Sequence, residues 1–322
     1  MIKAEHLKKT YTVKVGKGLK RKNQQIEAVK DISMQIDKGK IIGLLGINGA
    51  GKTTTIKMLT TLLSPTSGTY VMDDIDAIKY PTEIKKRINM IAGGERMIYW
   101  RLTAYENLWY YGQIYNVPNH ILKKRIDELL ELVGLEQKKN VPVETFSKGM
   151  KQRLQIARGL INNPEYLFLD EPTIGLDAIV SKELRNHIKH LAINENKGIL
   201  LTSHYMSEIE ELCDYIYILS EGMLIKQGTT KELAADTFNR KEYVLKLYAY
   251  TNDITKNIEN RLRAFDSSVT LLENSEGINI SSNKNISLEL SKTCSEEGVF
   301  IKEMYEKEPR LEDTIMQIAK EA

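Results

Sequence analysis

The apolar pattern changes character along the chain. Ile41, Ile42, Leu44 and Leu45 form a short continuous run, as do residues 166–169 and 199–202. Runs this short, bounded by polar residues, predict strands buried on both faces of a parallel sheet. Ile26-Glu27-Ala28-Val29 and Ile32-Ser33-Met34-Gln35-Ile36 alternate, which predicts strands with one covered face. Residues 1–45 as a whole read as strands and turns. Behind the first apolar run, Ile56, Met58, Leu59 and Leu62 predict a helix over 54–63. From Thr103 to Thr145 the spacing becomes helical. Leu108, Tyr111, Ile114 and Tyr115 recur at helical intervals, then Ile121, Ile126, Leu129, Leu130 and Val133. This predicts a helical insert between two α/β portions.

After Gly228 the pattern shifts again. It predicts strand 243–250, helix 253–265, strands 268–273 and 277–282 joined by a turn at Asn274-Ser275-Glu276-Gly277, helix 285–296, strand 299–306 and a last helix 311–320. The order βαββαβ is that of a ferredoxin-like unit. Two domains are therefore expected, 1–230 and 231–322, and 322 residues suffice for both.

Charge changes this picture little. Forty-six basic residues face 43 acidic ones, so no overall field calls for a nucleic-acid partner. No apolar run approaches a membrane span. Met1-Ile2-Lys3-Ala4-Glu5-His6 has no apolar signal core. Cys213 and Cys294 lie far apart, without metal spacing, and read as reduced thiols. A soluble cytosolic protein is expected, with any membrane role exerted through a partner. Lys14 to Lys22 reads as an exposed hairpin loop, either simply solvated or touching acidic lipid headgroups.

The chemistry begins directly after the first buried run. Gly46-Ile47-Asn48-Gly49-Ala50-Gly51-Lys52-Thr53 fits G-x-x-x-x-G-K-S/T, a phosphate-binding P-loop between a strand and a helix. Glycines let backbone N–H groups wrap an anion, and the helix N-terminus adds partial positive charge. Lys52 is expected on the β- and γ-phosphates and the Thr53 hydroxyl on Mg²⁺. Tyr166-Leu167-Phe168-Leu169 ends in Asp170-Glu171. Asp170 suits Mg²⁺ held through its water shell, and Glu171 suits an attacking water. Seen alone, the pair could be a solvated acidic turn. Ser147 is a natural N-cap before a helix with Leu154, Ala157, Leu160 and Ile161 on one face, either an ordinary capped helix or a second anion-suited helix start. His204 closes the strand Gly198 to Ser203 and is either a surface histidine or a γ-phosphate contact that helps position Glu171.

Taken in order, these segments resemble the ATP-binding subunit of an ABC transporter over roughly residues 1–230. Gly46–Thr53 resembles the Walker A loop. Phe146-Ser147-Lys148-Gly149-Met150 resembles the signature motif, and Leu169-Asp170-Glu171-Pro172-Thr173 the Walker B segment. Gly175-Leu176-Asp177 resembles the D-loop, and His204 the switch histidine. Tyr11 matches the aromatic that stacks on adenine, although it could equally be a half-buried strand tyrosine. The resemblance implies a P-loop NTPase cassette of mixed α/β sheet, with a helical subdomain at about 103–160, followed by the small α+β ferredoxin-like domain. It implies ATP and Mg²⁺ as ligands. The nucleotide set is Tyr11, Gly46, Ile47, Asn48, Gly49, Ala50, Gly51, Lys52, Thr53, Thr54, Ser147, Lys148, Gly149 and Asp177. Thr53 and Asp170 serve the metal, and Glu171 and His204 the catalysis.

The resemblance further implies a head-to-tail pair of cassettes, either homo- or heterodimeric, and a separate transmembrane permease that holds the chain at the cytoplasmic membrane face. The S-K-G-M-K-Q-R form, the appended domain and the final segment Pro309 to Ile315 look like exporter subunits for drugs, antibiotics or lipid-like molecules. One departure stands out. Where the family carries a glutamine after the strand Ile88 to Ala92, this chain has Gly93-Gly94-Glu95-Arg96. The missing amide leaves an ATP-gated switch with weak hydrolysis as the alternative. The neighbouring Met97-Ile98-Tyr99-Trp100 is either core packing of the helical insert or an aromatic anchor for the permease. A GTPase is disfavoured, because Asn283-Lys284-Asn285 is followed by Ile286 and no N-K-x-D motif occurs. Residues 231–322 are either a passive appendage or a dimerising or regulatory element.

Overall fold

The alternating N-terminal segment becomes two long antiparallel strands, β1 (Ile2–Val15) and β2 (Lys22–Ile36). They belong to a computed structural model that describes residues 1–15, 22–92, 98–237, 241–248, 252–274 and 277–307. The tip of the expected basic hairpin, residues 16–21, lies outside the described residues, while Lys14, Val15 and Lys22 belong to the strands. The two alternating stretches at 26–36 join into one strand. Alternation breaks at Lys30-Asp31, yet the backbone stays paired there, with Lys30 N donating to Gly222 O at 2.7 Å.

The chain continues through β3 (Ile41–Gly46), α1 (Lys52–Leu59), β4 (Ser67–Met72), β5 (Ile75–Asp76), α2 (Pro81–Arg87) and β6 (Ile88–Ala92). The helical insert holds α3 (Ala104–Ile114), α4 (Asn119–Leu132) and α5 (Lys148–Gly159). Then come β7 (Tyr166–Asp170), α6 (Ala178–Ile193), β8 (Gly198–Thr202), α7 (Met206–Leu212), β9 (Tyr215–Ser220) and β10 (Met223–Gly228). The sheet order is β5-β4-β1-β2-β10-β9-β3-β8-β7-β6. β3 runs parallel to β8 and β9, and β7 runs parallel to β6 and β8. Leu44, Leu167, Phe168, Ile199 and Leu201 are buried, as continuous apolar runs require. Each such side chain contributes roughly 1.5–3 kcal/mol. The carboxyl ends of β3, β7 and β8 meet at one edge, where doubly covered α/β sheets bind ligands.

The helix expected over 54–63 differs at both ends. It starts at Lys52 and stops at Leu59, leaving Leu62 exposed. Thr60 Oγ1 donates back to Ile56 O at 2.8 Å, and Thr61 takes a left-handed φ of 55°. A β-branched residue in that conformation ends a helix. Segment 64–87 carried no expectation, because its strands are short and its apolar residues sparse. In the insert, Thr103 opens α3 with a reciprocal capping box. Its hydroxyl accepts from Glu106 N, and Glu106 accepts from Thr103 N. That box anchors the insert where it leaves the sheet.

The chain divides into two compact units, Met1–Thr230 and Lys231–Ala322. A helix, α8 (Thr230–Thr237), begins at the division. The second unit contains β11 (Lys241–Leu247), α9 (Asn252–Phe265), β12 (Thr270–Asn274), β13 (Gly277–Ser282), α10 (Ser287–Glu296) and β14 (Ile301–Lys307). Its strands lie in the order β12-β13-β11-β14, every neighbouring pair antiparallel. Tyr243, Leu245, Ile278 and Ile280 from the sheet pack against Ile258, Leu262 and Leu290 from the helices. The last expected helix, 311–320, lies outside the described residues, as does the segment from Pro309 onward that carried the exporter likeness.

Asp266 holds the corner after α9. Its carboxylate accepts from Ser282 Oγ at 2.6 Å, Ser268 Oγ at 2.7 Å, and the amides of Ser268, Asn283 and Lys284 at 2.9, 2.9 and 3.1 Å. The Ser282 hydroxyl foremost, with the Ser268 amide and hydroxyl, holds its pKa well below the usual carboxylate range. A folded pKa below the unfolded one contributes stability above about pH 4 that is lost as pH falls. Asp266→Ala is therefore expected to speed amide hydrogen exchange at Asn283 and Lys284 at neutral pH. The difference from wild type should shrink as pH falls below about 4; equal exchange at neutral pH would contradict this role.

Candidate active site

The P-loop works because β3 ends against its neighbour. Gly46 has φ 150°, and a Cβ there would stand 2.3 Å from Leu219 O. Gly51 has φ 99°, and its Cβ would stand 2.8 Å from Ala28 O. Any other residue at either place would push the loop off the sheet. α1 then starts with no side-chain cap and no acidic residue in its first turn. Its first amides therefore lack intrahelical partners and point outward, which suits an anion. An open cleft of about 210 Å³ lies here, lined by Ala28, Asn48 to Thr54, Asp170 and Glu171.

Lys52 Nζ folds back onto its own loop, donating to Gly46 O at 2.5 Å and Ile47 O at 3.2 Å. Partial burial pushes its pKa below the ordinary lysine value, opposed by the charges of Glu171 and Asp170. The loop therefore holds a costly cation that an incoming phosphate would neutralise.

The two carboxylates are set by β7 and β8 in register. Asp170 pairs with Thr202 across the ladder, and Thr202 Oγ1 donates to Asp170 Oδ1 at 2.7 Å. Glu171 leaves the strand with φ 53°, an uncommon conformation for a glutamate. Its amide donates to Thr202 O at 3.1 Å and Thr202 Oγ1 at 3.2 Å, which holds that turn. The turn aims the carboxylate at His204, whose Nε2 lies 2.6 Å from Glu171 Oε1. A second, smaller cavity of about 140 Å³ lies beside this pair, between Glu171, Thr173, Ser203 and His204.

Other expected residues stand apart from the cleft. Ser147 caps α5, its Oγ accepting from Met150 N at 3.2 Å. Lys148 Nζ lies 2.0 Å from where a Cβ on Gly175 would stand, so signature and D-loop touch within one chain. Asp177 caps α6, its Oδ1 accepting from Ile179 N and Val180 N at 3.0 and 2.9 Å. Neither these residues nor Gly149 line the P-loop cleft. Tyr11 pairs with Ile26 on β2, two residues before the cleft-lining Ala28. Its ring is half-buried under Lys9 Nζ, 5.6 Å from the centroid. Gly93, Gly94, Glu95, Arg96 and Met97 lie outside the described residues. Of the adjoining cluster, Ile98 is buried, while Tyr99 and Trp100 are about half exposed. Lys151 Nζ sits 4.3 Å from the Trp100 ring centroid.

Sequence reasoning missed several residues that shape the site. Ala28 lies on a distant strand and carries no chemical signal. Gln152 Nε2 donates to Pro172 O at 2.7 Å, tying α5 to the Walker B turn. Thr202 had a readable signal, a hydroxyl ending a buried apolar run, but its partner is set by strand register.

The matching family model is that of the ABC transporter and spans residues 29–174. The chain is 42% identical over 212 residues to the ABC transporter ATP-binding protein NatA of Bacillus subtilis, covering 66% of this chain and 86% of that one. It is 39% identical over 238 residues to the linearmycin resistance ATP-binding protein LnrL of the same organism, covering 73% and 71%. Among solved structures, it resembles the dimeric post-hydrolysis state of the ATP-binding cassette MJ0796 bound to ADP and Pi. That likeness has TM-score 0.62 and 26% identity and covers 71% of this chain and 98% of the other. A cassette sheet, an open anion-suited helix start and a Glu–His pair thus coincide with this likeness, and the chain belongs to the ATP-binding proteins of ABC transporters: it is an ATPase, the ATP-binding subunit of such a transporter.

Proposed function

We propose that the chain is the motor of an exporter, pairing head to tail with a second cassette and acting on a separate permease. The observation that carries the pairing is that Ser147, Lys148 and Gly149 do not line the cleft formed by their own P-loop. A second anion-suited helix start with no phosphate to meet in its own chain fits a nucleotide held by a partner cassette. The dimeric MJ0796 cassette supports this arrangement. The name of LnrL, a linearmycin resistance protein, and the S-K-G-M form support export of a drug-like or lipid-like molecule. No helix among the described residues is long and apolar enough to cross a membrane, so attachment would run through the permease.

In this mechanism the amides of Gly49 to Thr54 and the Lys52 ammonium hold the ATP phosphates, and Tyr11 stacks on the adenine. Thr53 and Asp170 offer hard oxygen ligands on the same cleft and fit Mg²⁺, which when bound neutralises phosphate charge. Glu171 takes a proton from a water that attacks the γ-phosphorus, and the bond to the bridging oxygen of ADP breaks. His204 holds the Glu171 carboxylate in place. Asp177 and Ser147 to Gly149 complete the site of the opposite copy. ATP favours the closed pair, and loss of phosphate reopens it.

The missing glutamine at Gly93 or Gly94 supports a second reading, an ATP-gated switch with weak hydrolysis. Turnover that rises when the permease is added would favour the motor; tight ATP binding without stimulation would favour the switch. For the second unit, the strand order and all-antiparallel pairing support a ferredoxin-like domain.

Lys52→Ala is expected to weaken ATP binding by about tenfold or more, measured by calorimetry, since a charge-assisted contact is lost. Glu171→Gln should keep ATP affinity, lower turnover by about 100-fold or more and trap an ATP-bound dimer on size exclusion. Wild-type turnover in that variant would remove Glu171 from the role of base.

A further inference from the structure

A buried carboxylate lies behind the Glu171–His204 pair without touching it. Glu208, the third residue of α7, is 3% exposed. An acid at that position commonly caps its own helix, but α7 has no side-chain cap. Glu208 instead turns inward. Its Oε2 accepts from Thr173 Oγ1 at 3.0 Å and from Ser203 Oγ at 2.5 Å. Ser203 Oγ in turn accepts from Tyr205 N at 3.0 Å.

We propose that Glu208 is a positioning residue that clamps the loop after Glu171 to the loop bearing His204. The proposal rests on the catalytic reading of those two residues. Thr173 follows Glu171 by two positions, and Ser203 and Tyr205 flank His204. The β7–β8 ladder ends at Asp170 and Thr202, so Glu171 and His204 both lie beyond its last paired residues. Thr202 already holds the Glu171 backbone; one Glu208 carboxylate oxygen adds a second tie, which bridges the residues that follow Glu171 and flank His204. The bridge reaches further. Gln152 of α5 donates to Pro172 O, and Leu176 N donates to Thr173 O at 3.1 Å, so the signature helix and the D-loop hang from the same segment.

The arrangement is expensive if packing were its only purpose. Glu208 Oε1 is buried and has no hydrogen-bond partner among the described residues. Arg185, whose charge reaches Glu208, is taken by Glu211 through Nε at 2.7 Å. Burial foremost, against the hydrogen bonds from Ser203 and Thr173, raises the Glu208 pKa above the ordinary value. An apolar residue of similar size would fill the same space without that penalty. What it could not do is accept from two hydroxyls on two loops.

The test compares steady-state ATP hydrolysis, ATP affinity and thermal melting in the full chain for wild type, Glu208→Ala, Glu208→Gln, Thr173→Val and Glu171→Gln. Glu208→Ala is expected to lower kcat by about tenfold while ATP affinity stays near wild type; the melting temperature falls only modestly, because two hydroxyls lose their acceptor as the reacting geometry loosens. Glu208→Gln keeps an acceptor oxygen and should recover most of that loss. Thr173→Val removes one leg of the clamp, should lower kcat by about threefold, and carries the test should Glu208→Ala not fold. Wild-type kcat in Glu208→Ala or in Thr173→Val overturns the clamp. So does a Glu208→Ala defect in which kcat, affinity and melting temperature fall together and Glu208→Gln does not rescue. Turnover by Glu171→Gln at the wild-type rate would instead overturn the underlying catalytic reading, so the two failures are told apart.

Discussion

A strand buried on both faces can satisfy its backbone only through its neighbours, and it must run straight until it leaves the sheet. β3, β7 and β8 are such strands. Their register, with that of β9, fixes where Gly46, Asp170 and Thr202 come out, and hence where phosphate, metal and attacking water would meet in the proposed mechanism. The site depends on this ladder more than on any single side chain. Gly46 can turn there only because it has no Cβ, whose space Leu219 O occupies. Glu171 can hold a left-handed backbone only because Thr202 receives its amide. The strain at Glu171 and the close approach at Gly46 are both local costs borne by a rigid core.

The electrostatics follow from that geometry. Two carboxylates and a partly buried ammonium face one cleft, with an uncapped helix start beside them. Lys52 rests on carbonyls of its own loop, a weaker partner than phosphate. The cleft therefore suits a polyanion. One chain supplies this half of the site. The other anion-suited helix start, at Ser147, caps α5 outside the cleft, which is the geometric reason that a second cassette enters the proposed mechanism.

The second unit follows a different logic. Its antiparallel sheet is covered by helices on one side, and the turn after α9 is organised by one carboxylate with five hydrogen-bond donors. Such a hub ties the end of α9 to the end of β13 and the residues that follow it.

Much of this was legible in the sequence. A G-x-x-x-x-G-K-T loop between a buried run and a helix determines its own conformation, because glycine positions, strand burial and helix start are local properties. The strand ending in Asp170-Glu171, the Ser147 cap and the βαββαβ order were legible for the same reason, since each rests on neighbours close along the chain. What stayed hidden was every relation between strands. Register decided that Thr202 serves both Asp170 and Glu171, that Ala28 lines the cleft, and that Glu208 reaches Thr173 across 35 residues. The extent of β2 was likewise decided by a turn pairing with Lys30. Local periodicity selects elements and motifs. Only hydrogen bonding between distant strands decides which side chains face one another, because that pairing depends on where separate segments leave the sheet, and no stretch of sequence carries that information by itself.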